Sequence, residues 1–181
     1  MSALYVYPIK ACAGIALQAV QVDDIGPVFD RRWLIVNKDG DFITQRSCPR
    51  LAQIIPTLIA KHDTTSTGMT KELNDILLEK SNPTHLRLEW SLEPGKHVEI
   101  PIIAEKAGDK QRRSIPKRMT VTVWNDTVAN AADQGDMVSK WLSDTLELNG
   151  VRLVYMDDKC IREIGCNNYA PEDKEASELS T

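Results

Sequence analysis

WLIVNKDGDFITQ, residues 33–45, decides how this chain reads. Trp33 to Val36 and Phe42 to Gln45 are short strand-like runs, and Asn37, Lys38, Asp39 and Gly40 between them supply the φ > 0 position that a tight turn needs. The stretch predicts a β-hairpin, and its neighbours repeat the pattern. Runs rich in Val, Ile, Leu and Tyr recur at Leu4 to Pro8, Ile15 to Val22, Leu51 to Ile59, Leu86 to Ser91, His97 to Ile103, Met119 to Trp124 and Val151 to Tyr155. Glu93, Pro94, Gly95 and Lys96 predict a second hairpin turn. Pro56 has no N–H to give a ladder, so it predicts an edge strand or a bulge within the run from Leu51 to Ile59.

Two segments break this pattern. Met69, Leu73, Ile76 and Leu77 share one helical face after the polar stretch Asp63 to Thr67, which predicts a short inserted helix near residues 69–80. Asp133 as N-cap, Asp136 in the first turn, a stripe of Val138, Trp141, Leu142 and Leu146, and Asn149-Gly150 as the stop predict an amphipathic helix near the C-terminal end. From Asp157 onward apolar periodicity is lost, and Pro171 to Thr181 is too polar to add to a core. The expected fold class is β-dominated α+β. One domain spans residues 1–156 with an insertion at 62–84, followed by an irregular linker or tail over 157–181.

A chain of 181 residues, 42% of them hydrophobic, can bury one sizeable core. Its net charge of -4 argues against nucleic-acid binding, which needs a positive surface. A local basic run, Lys110, Arg112, Arg113, Lys117 and Arg118, has no interleaved aromatic and reads as a solvated loop between strands. Cys12, Cys48, Cys160 and Cys166 form no CxxC pair and have no His at ligand spacing, so neither zinc nor a disulfide framework is expected. Cys12 reads as a small buried residue, and Trp33 and Trp124 read as core packing within strand runs. His62, His85 and His97 stand apart from any nucleophile, so no catalytic residue is assigned. No run approaches a membrane span and no presequence is visible, which makes an intracellular, by default cytoplasmic, protein the expectation.

Three cations stand out: Lys10 in YPIKACAG (7–14), Arg31 in DRRW (30–33) and Arg46 in TQR (44–46). In apolar, strand-like surroundings such charges need an anionic partner or open water. Arg and Lys at strand ends suit phosphate, which takes charge-assisted hydrogen bonds well. The alternative is three unrelated solvated cations.

These motifs, with the Asp39-Gly40 turn, PRLAQI (49–54), VTVWNDTV (121–128), WLS (141–143) and RLVYM (152–156), resemble the N-terminal β-barrel domain that precedes a MOSC domain. MOSC abbreviates molybdenum cofactor sulfurase C-terminal. The family includes the amidoxime-reducing component and the C-terminal region of molybdenum cofactor sulfurase. The resemblance implies a β-barrel-like domain that helps hold molybdenum-molybdopterin, with Lys10 and Arg31 as cofactor contacts. Arg46 matches a family Arg that either joins them or braces Asp30. Ala11 stands where the family usually has a cofactor-facing Ser, which removes one hydroxyl from the clamp. The molybdenum-ligating Cys lies in the MOSC domain, so none of the four Cys here is given the metal. The resemblance implies a MOSC domain as partner, in cis or trans, and an electron-donor protein. It also implies reduction of N-hydroxylated compounds, with mitochondrial placement as a family property only. Two alternatives are a region of a cofactor sulfurase, whose pyridoxal phosphate domain lies elsewhere, and a stand-alone cofactor-binding module.

Overall fold

The computed structural model describes residues 3–24, 26–61, 70–72, 83–102 and 116–163. In chain order the strands are β1 (Leu4–Val6), β2 (Ile15–Leu17), β3 (Val22–Asp23), β4 (Gly26–Pro27), β5 (Trp33–Val36), β6 (Ile54–Lys61), β7 (Thr70–Glu72), β8 (His85–Trp90), β9 (His97–Pro101), β10 (Arg118–Val123), β11 (Asp126–Asp133), β12 (Arg152–Tyr155) and β13 (Ile161–Glu163). A 3-10 turn at Pro49–Gln53 and the helix α1 (Asp136–Leu146) complete the described elements. The β-dominated α+β expectation, with a helix near the C-terminal end, is met. The sheets are open: one runs β10-β11-β12-β5 with β13 also on β11, the other runs β7-β6-β8-β9, and β1-β2 and β3-β4 are separate ribbons.

The four apolar residues of β5 are all buried because the strand has a core on each face. Trp33 and Ile35 enter the larger cluster, which gathers Leu58, Leu86, Leu88, Val138, Leu142 and Leu153 from both sheets and the helix. Leu34 and Val36 enter a smaller cluster with Val121, Val123, Val128 and Val154. In β8 the strict alternation of Leu86, Leu88 and Trp90 inward leaves Arg87 outward, where it pairs with Glu99 of β9 at 2.6 Å.

The first hairpin keeps its turn and changes its second arm. Asn37 Oδ1 accepts from the N–H groups of Asp39 and Asp41, each at 2.9 Å, and Gly40 takes φ 88. Gly40 is required there, since a Cβ would stand 2.8 Å from the Thr120 carbonyl oxygen. Phe42 bridges Val36 but also donates its N–H to Thr122 O at 3.1 Å, so the arm is shared between β5 and β10. The expected strand over Phe42 to Gln45 therefore gives way to a turn, in which Cys48 N–H reaches Thr44 O at 2.8 Å. The second hairpin joins β8 and β9 as expected, with Gly95 at φ 88. Pro56 pairs Leu88 of β8 on one side of β6, while the described residues of β7 meet the other side of β6 at Ile59 to Lys61.

Several expectations are corrected. Asp133 is not the N-cap: β11 continues through it and Gly135 caps α1, because Asp133 is drawn inward to Arg152, with Oδ2 2.6 Å from Nε. Its Oδ1 still accepts the Gly135 N–H at 3.0 Å, a turn bond made two residues ahead of the cap position. The helix ends at Glu147, in the left-handed region at φ 59, before the Asn149-Gly150 stop. Residues 70–72, placed by periodicity in an inserted helix, form β7 on β6; the remainder of that helix lies outside the described residues. Arg118 belongs to β10 and pairs with Asp157 at 2.7 Å, while Lys110, Arg112 and Arg113 lie outside the described residues. Past Asp157, where sequence periodicity fades, β13 pairs Thr127–Ala129 of β11 through residues 161–163.

Candidate functional site

The strand-end motifs that carry Lys10 and Arg31 lie side by side because main-chain bonds tie them together. Arg31 N–H donates to Tyr7 O at 2.7 Å, Trp33 N–H to Pro8 O at 3.0 Å, and Lys10 N–H to Trp33 O at 3.1 Å. Tyr7 N–H in turn donates to Asp30 Oδ1 at 2.8 Å. Beneath this shelf Ile9, Cys12 and Trp33 are buried, so the cations above them stand on packed core.

Lys10 Nζ lies 3.9 Å from the Phe42 ring centroid and 5.1 Å from that of Trp124. Ring faces attract an ammonium by about 0.5–2 kcal/mol, and unlike a carboxylate they leave its charge uncancelled. Among the described residues no carboxylate pairs with Lys10. Burial above all, then the fields of Arg162 and Arg31, hold its ammonium below the ordinary lysine range. Arg31 is largely exposed and touches Asp30 at 3.1 Å, a contact that solvent screens. Arg162, on β13, is held by Asp126 Oδ2 at 2.8 and 2.5 Å.

Two clefts meet at Lys10, Arg31 and Trp124. One, of about 370 Å³, is further lined by Arg32, Met156, Cys160 and Arg162. The other, of about 400 Å³, adds Tyr7, Ala11, Gln45 and Arg46. The sequence motifs at Lys10, Ala11, Arg31 and Arg46 therefore converge on one surface. Arg46 is exposed on the far wall; Asp30 is engaged by Tyr7 and Arg31. Ala11 takes φ 70, and its carbonyl accepts from Gln45 Nε2 at 2.8 Å. Arg31 and Trp124 share that left-handed backbone, at φ 50 and 58. A residue with a Cβ gives up about 1–2 kcal/mol to sit there, so strain is concentrated around the clefts.

Trp124 corrects its expected place in the core. It is 63% exposed, while the inward positions of the strand before it are Val121 and Val123. Period-2 alternation places residue 124 outward, and that signal was available in the sequence. Arg162 was missed for a different reason: three residues of strand in polar surroundings carry no periodic pattern. Cys12 is buried as expected, and that burial, with Cys48 beside it, pushes its thiol well above the usual range. No three His, Cys, Asp or Glu side chains converge as a metal-holding group among the described residues.

The MOSC N-terminal beta barrel domain family model matches residues 1–149. The chain belongs to this MOSC N-terminal family. Its relatives are longer proteins of which it covers a part. It is 25% identical over 175 residues to molybdenum cofactor sulfurase of Drosophila erecta, covering 95% of this chain and 18% of that protein. It is 27% identical over 163 residues to mitochondrial amidoxime reducing component 2 of Rattus norvegicus, covering 88% of this chain and 38% of that protein. Over 85 residues it is 34% identical to mitochondrial amidoxime-reducing component 1 of Homo sapiens, covering 45% of this chain and 24% of that protein. The MOSC N-terminal chain therefore spans less than two-fifths of each of these three relatives. Among the described residues no helix is long and apolar enough to cross a membrane.

Proposed function

We propose that this MOSC N-terminal chain clamps molybdenum-molybdopterin by its anionic end, in partnership with a MOSC domain in cis or trans. The observation that carries the reading is Lys10: a partly buried ammonium with ring faces beside it, two guanidinium groups near it, and no carboxylate against it among the described residues. A phosphate-class anion supplies the missing countercharge, and Arg31 can leave its exposed contact with Asp30 to give a forked pair of donors. Arg46 lines the second cleft with them and would add a further cation toward the same ligand. The cofactor, once bound, supplies two-electron redox chemistry at its metal. This chain's residues bind, orient and screen it. The enzyme we assign to the clamp is a reductase of N-hydroxylated compounds, served by an electron-donor protein. The second reading, a region of a cofactor sulfurase, is favoured by the match to the Drosophila protein over 95% of this chain.

The test is cofactor affinity. Lys10→Ala and Arg31→Ala are each expected to weaken molybdopterin binding by about 10–150-fold, the value of a hydrogen bond to a charged group. Equal affinity in the parent and both variants would remove the clamp. Because the Lys10 pKa is lowered, the affinity falls as pH rises through that lowered value, earlier than for a solvated lysine. A bound anion opposes this loss by favouring the protonated form.

Ala11 gives a second prediction. Restoring the hydroxyl with Ala11→Ser is expected to tighten binding by about 2–12-fold, the value of one neutral hydrogen bond. Titration of both proteins with the cofactor checks it, and an unchanged affinity would show that position 11 does not face the ligand.

A further inference from the structure

We propose that Gln45 is a positioning residue for the Lys10 ammonium: its side-chain amide tethers the turn that presents Lys10 to the segment whose Phe42 ring receives the charge. The proposal rests on the clamp reading for its consequence in binding only; the positioning itself has its own observations and is testable without a ligand.

Lys10 sits in a turn from Ile9 to Cys12, closed by the Cys12 N–H donating to Ile9 O at 3.2 Å. Ala11 is the third residue of that turn and takes φ 70, a conformation that Gly would adopt at less cost. A turn of that shape persists where its surroundings hold it. Both of its stems are fixed: Lys10 N–H donates to Trp33 O at 3.1 Å, and Ala13 N–H to Ile54 O at 3.0 Å. At the tip, between these stems, Gln45 Nε2 donates to Ala11 O at 2.8 Å.

Gln45 follows closely on Phe42, whose ring centroid lies 3.9 Å from Lys10 Nζ. Residues 42–45 thus meet both ends of Lys10: a ring takes the ammonium, and an amide takes the carbonyl of the next residue. That segment is itself anchored. Phe42 N–H donates to Thr122 O at 3.1 Å, Ile43 N–H to Ile35 O at 2.9 Å, and Cys48 N–H to Thr44 O at 2.8 Å. A long, rotamer-rich Lys side chain reaches one spot reproducibly only when its main chain is defined. The Gln45 bond defines it at the strained end of the turn. Gln45 is exposed and adds nothing to the core, so its removal probes this bond rather than packing.

Gln45→Met keeps the length of the side chain and removes the donor, while Gln45→Ala removes both. In the ligand-free chain the Lys10 ammonium is titrated by NMR in the parent and the two variants. Burial is the first cause that lowers the Lys10 pKa, ahead of Arg162 and Arg31, so a released turn should let it rise toward the ordinary lysine range in both variants. Molybdopterin affinity should fall by about 2–12-fold, the worth of one neutral hydrogen bond. An unmoved Lys10 pKa in both variants would overturn the proposal, whether or not the urea midpoint changed. So would a Gln45→Met chain that titrates as the parent while Gln45→Ala does not, since bulk rather than the hydrogen bond would then hold the turn. An unchanged affinity in Gln45→Met, beside a Lys10→Ala chain that binds weakly, would overturn it as well. Failure of the clamp reads differently: Lys10→Ala would then leave affinity unchanged while Gln45→Met still moved the Lys10 pKa.

Discussion

Trp33→Ala should lower the unfolding free energy by about 3–5 kcal/mol, the range for deleting a buried aromatic ring. Trp33 is 1% exposed, and its ring packs against Tyr155 with centroids 4.8 Å apart. It occupies the inward face of β5, a strand with core on both sides, so no solvent-facing neighbour can collapse into the space. Against the usual total of about 5–15 kcal/mol, the loss takes a large share of the fold's stability. The expected signature in urea is a lower midpoint with an unchanged slope. Trp33→Phe should recover more than half of the loss; if both variants match the parent, the ring is not a structural keystone. Because Lys10 N–H and Trp33 O are joined directly, ligand affinity should fall along with stability.

Arg152→Ala should cost about 3 kcal/mol, for an electrostatic reason. The Asp133 side chain is 3% exposed and lies 2.6 Å from Arg152 Nε, while Arg152 Nη2 reaches Asp136 Oδ1 at 2.8 Å. One guanidinium thus joins the end of β11 to the first turn of α1. Removing it leaves a buried carboxylate whose remaining partner among the described residues is the Gly135 N–H, and an unpaired buried charge is expensive. The double variant Asp133→Asn with Arg152→Met removes both charges and should be more stable than Arg152→Ala alone. Urea unfolding of both checks the ordering, and a double variant weaker than the single would show that shape matters more than charge here.

Legibility in the sequence followed the strength of local signals. β5, the two Gly turns and the stripe of α1 were legible because burial repeats at a fixed period and Gly40 and Gly95 mark their turns. The inserted helix failed at residues 70–72, where pairing with β6 outweighed an apolar period of 3.6. Asp133 had the chemistry of an N-cap, and a long-range partner, Arg152, claimed it instead. At the site, Lys10, Ala11, Arg31 and Arg46 were legible through their motifs. Their convergence was not, since it depends on main-chain bonds between residues 7–10 and 31–33. Trp124 was readable by counting positions along β10. Arg162 was beyond such reading, because only tertiary pairing with β11 makes residues 161–163 a strand.

That last pairing governs how anything joined after Glu163 meets the ligand. Arg162 lies on a cleft wall, so the described residues end one position beyond the cleft lining. A domain covalently linked to this chain would meet the cleft as an intramolecular partner, at an effective concentration that linkage can raise to about the millimolar range. The same domain supplied as a separate molecule would have to reach that concentration in bulk. β13 thus serves as a mooring point, and weakening its hold on β11 would loosen the cleft wall that carries Arg162.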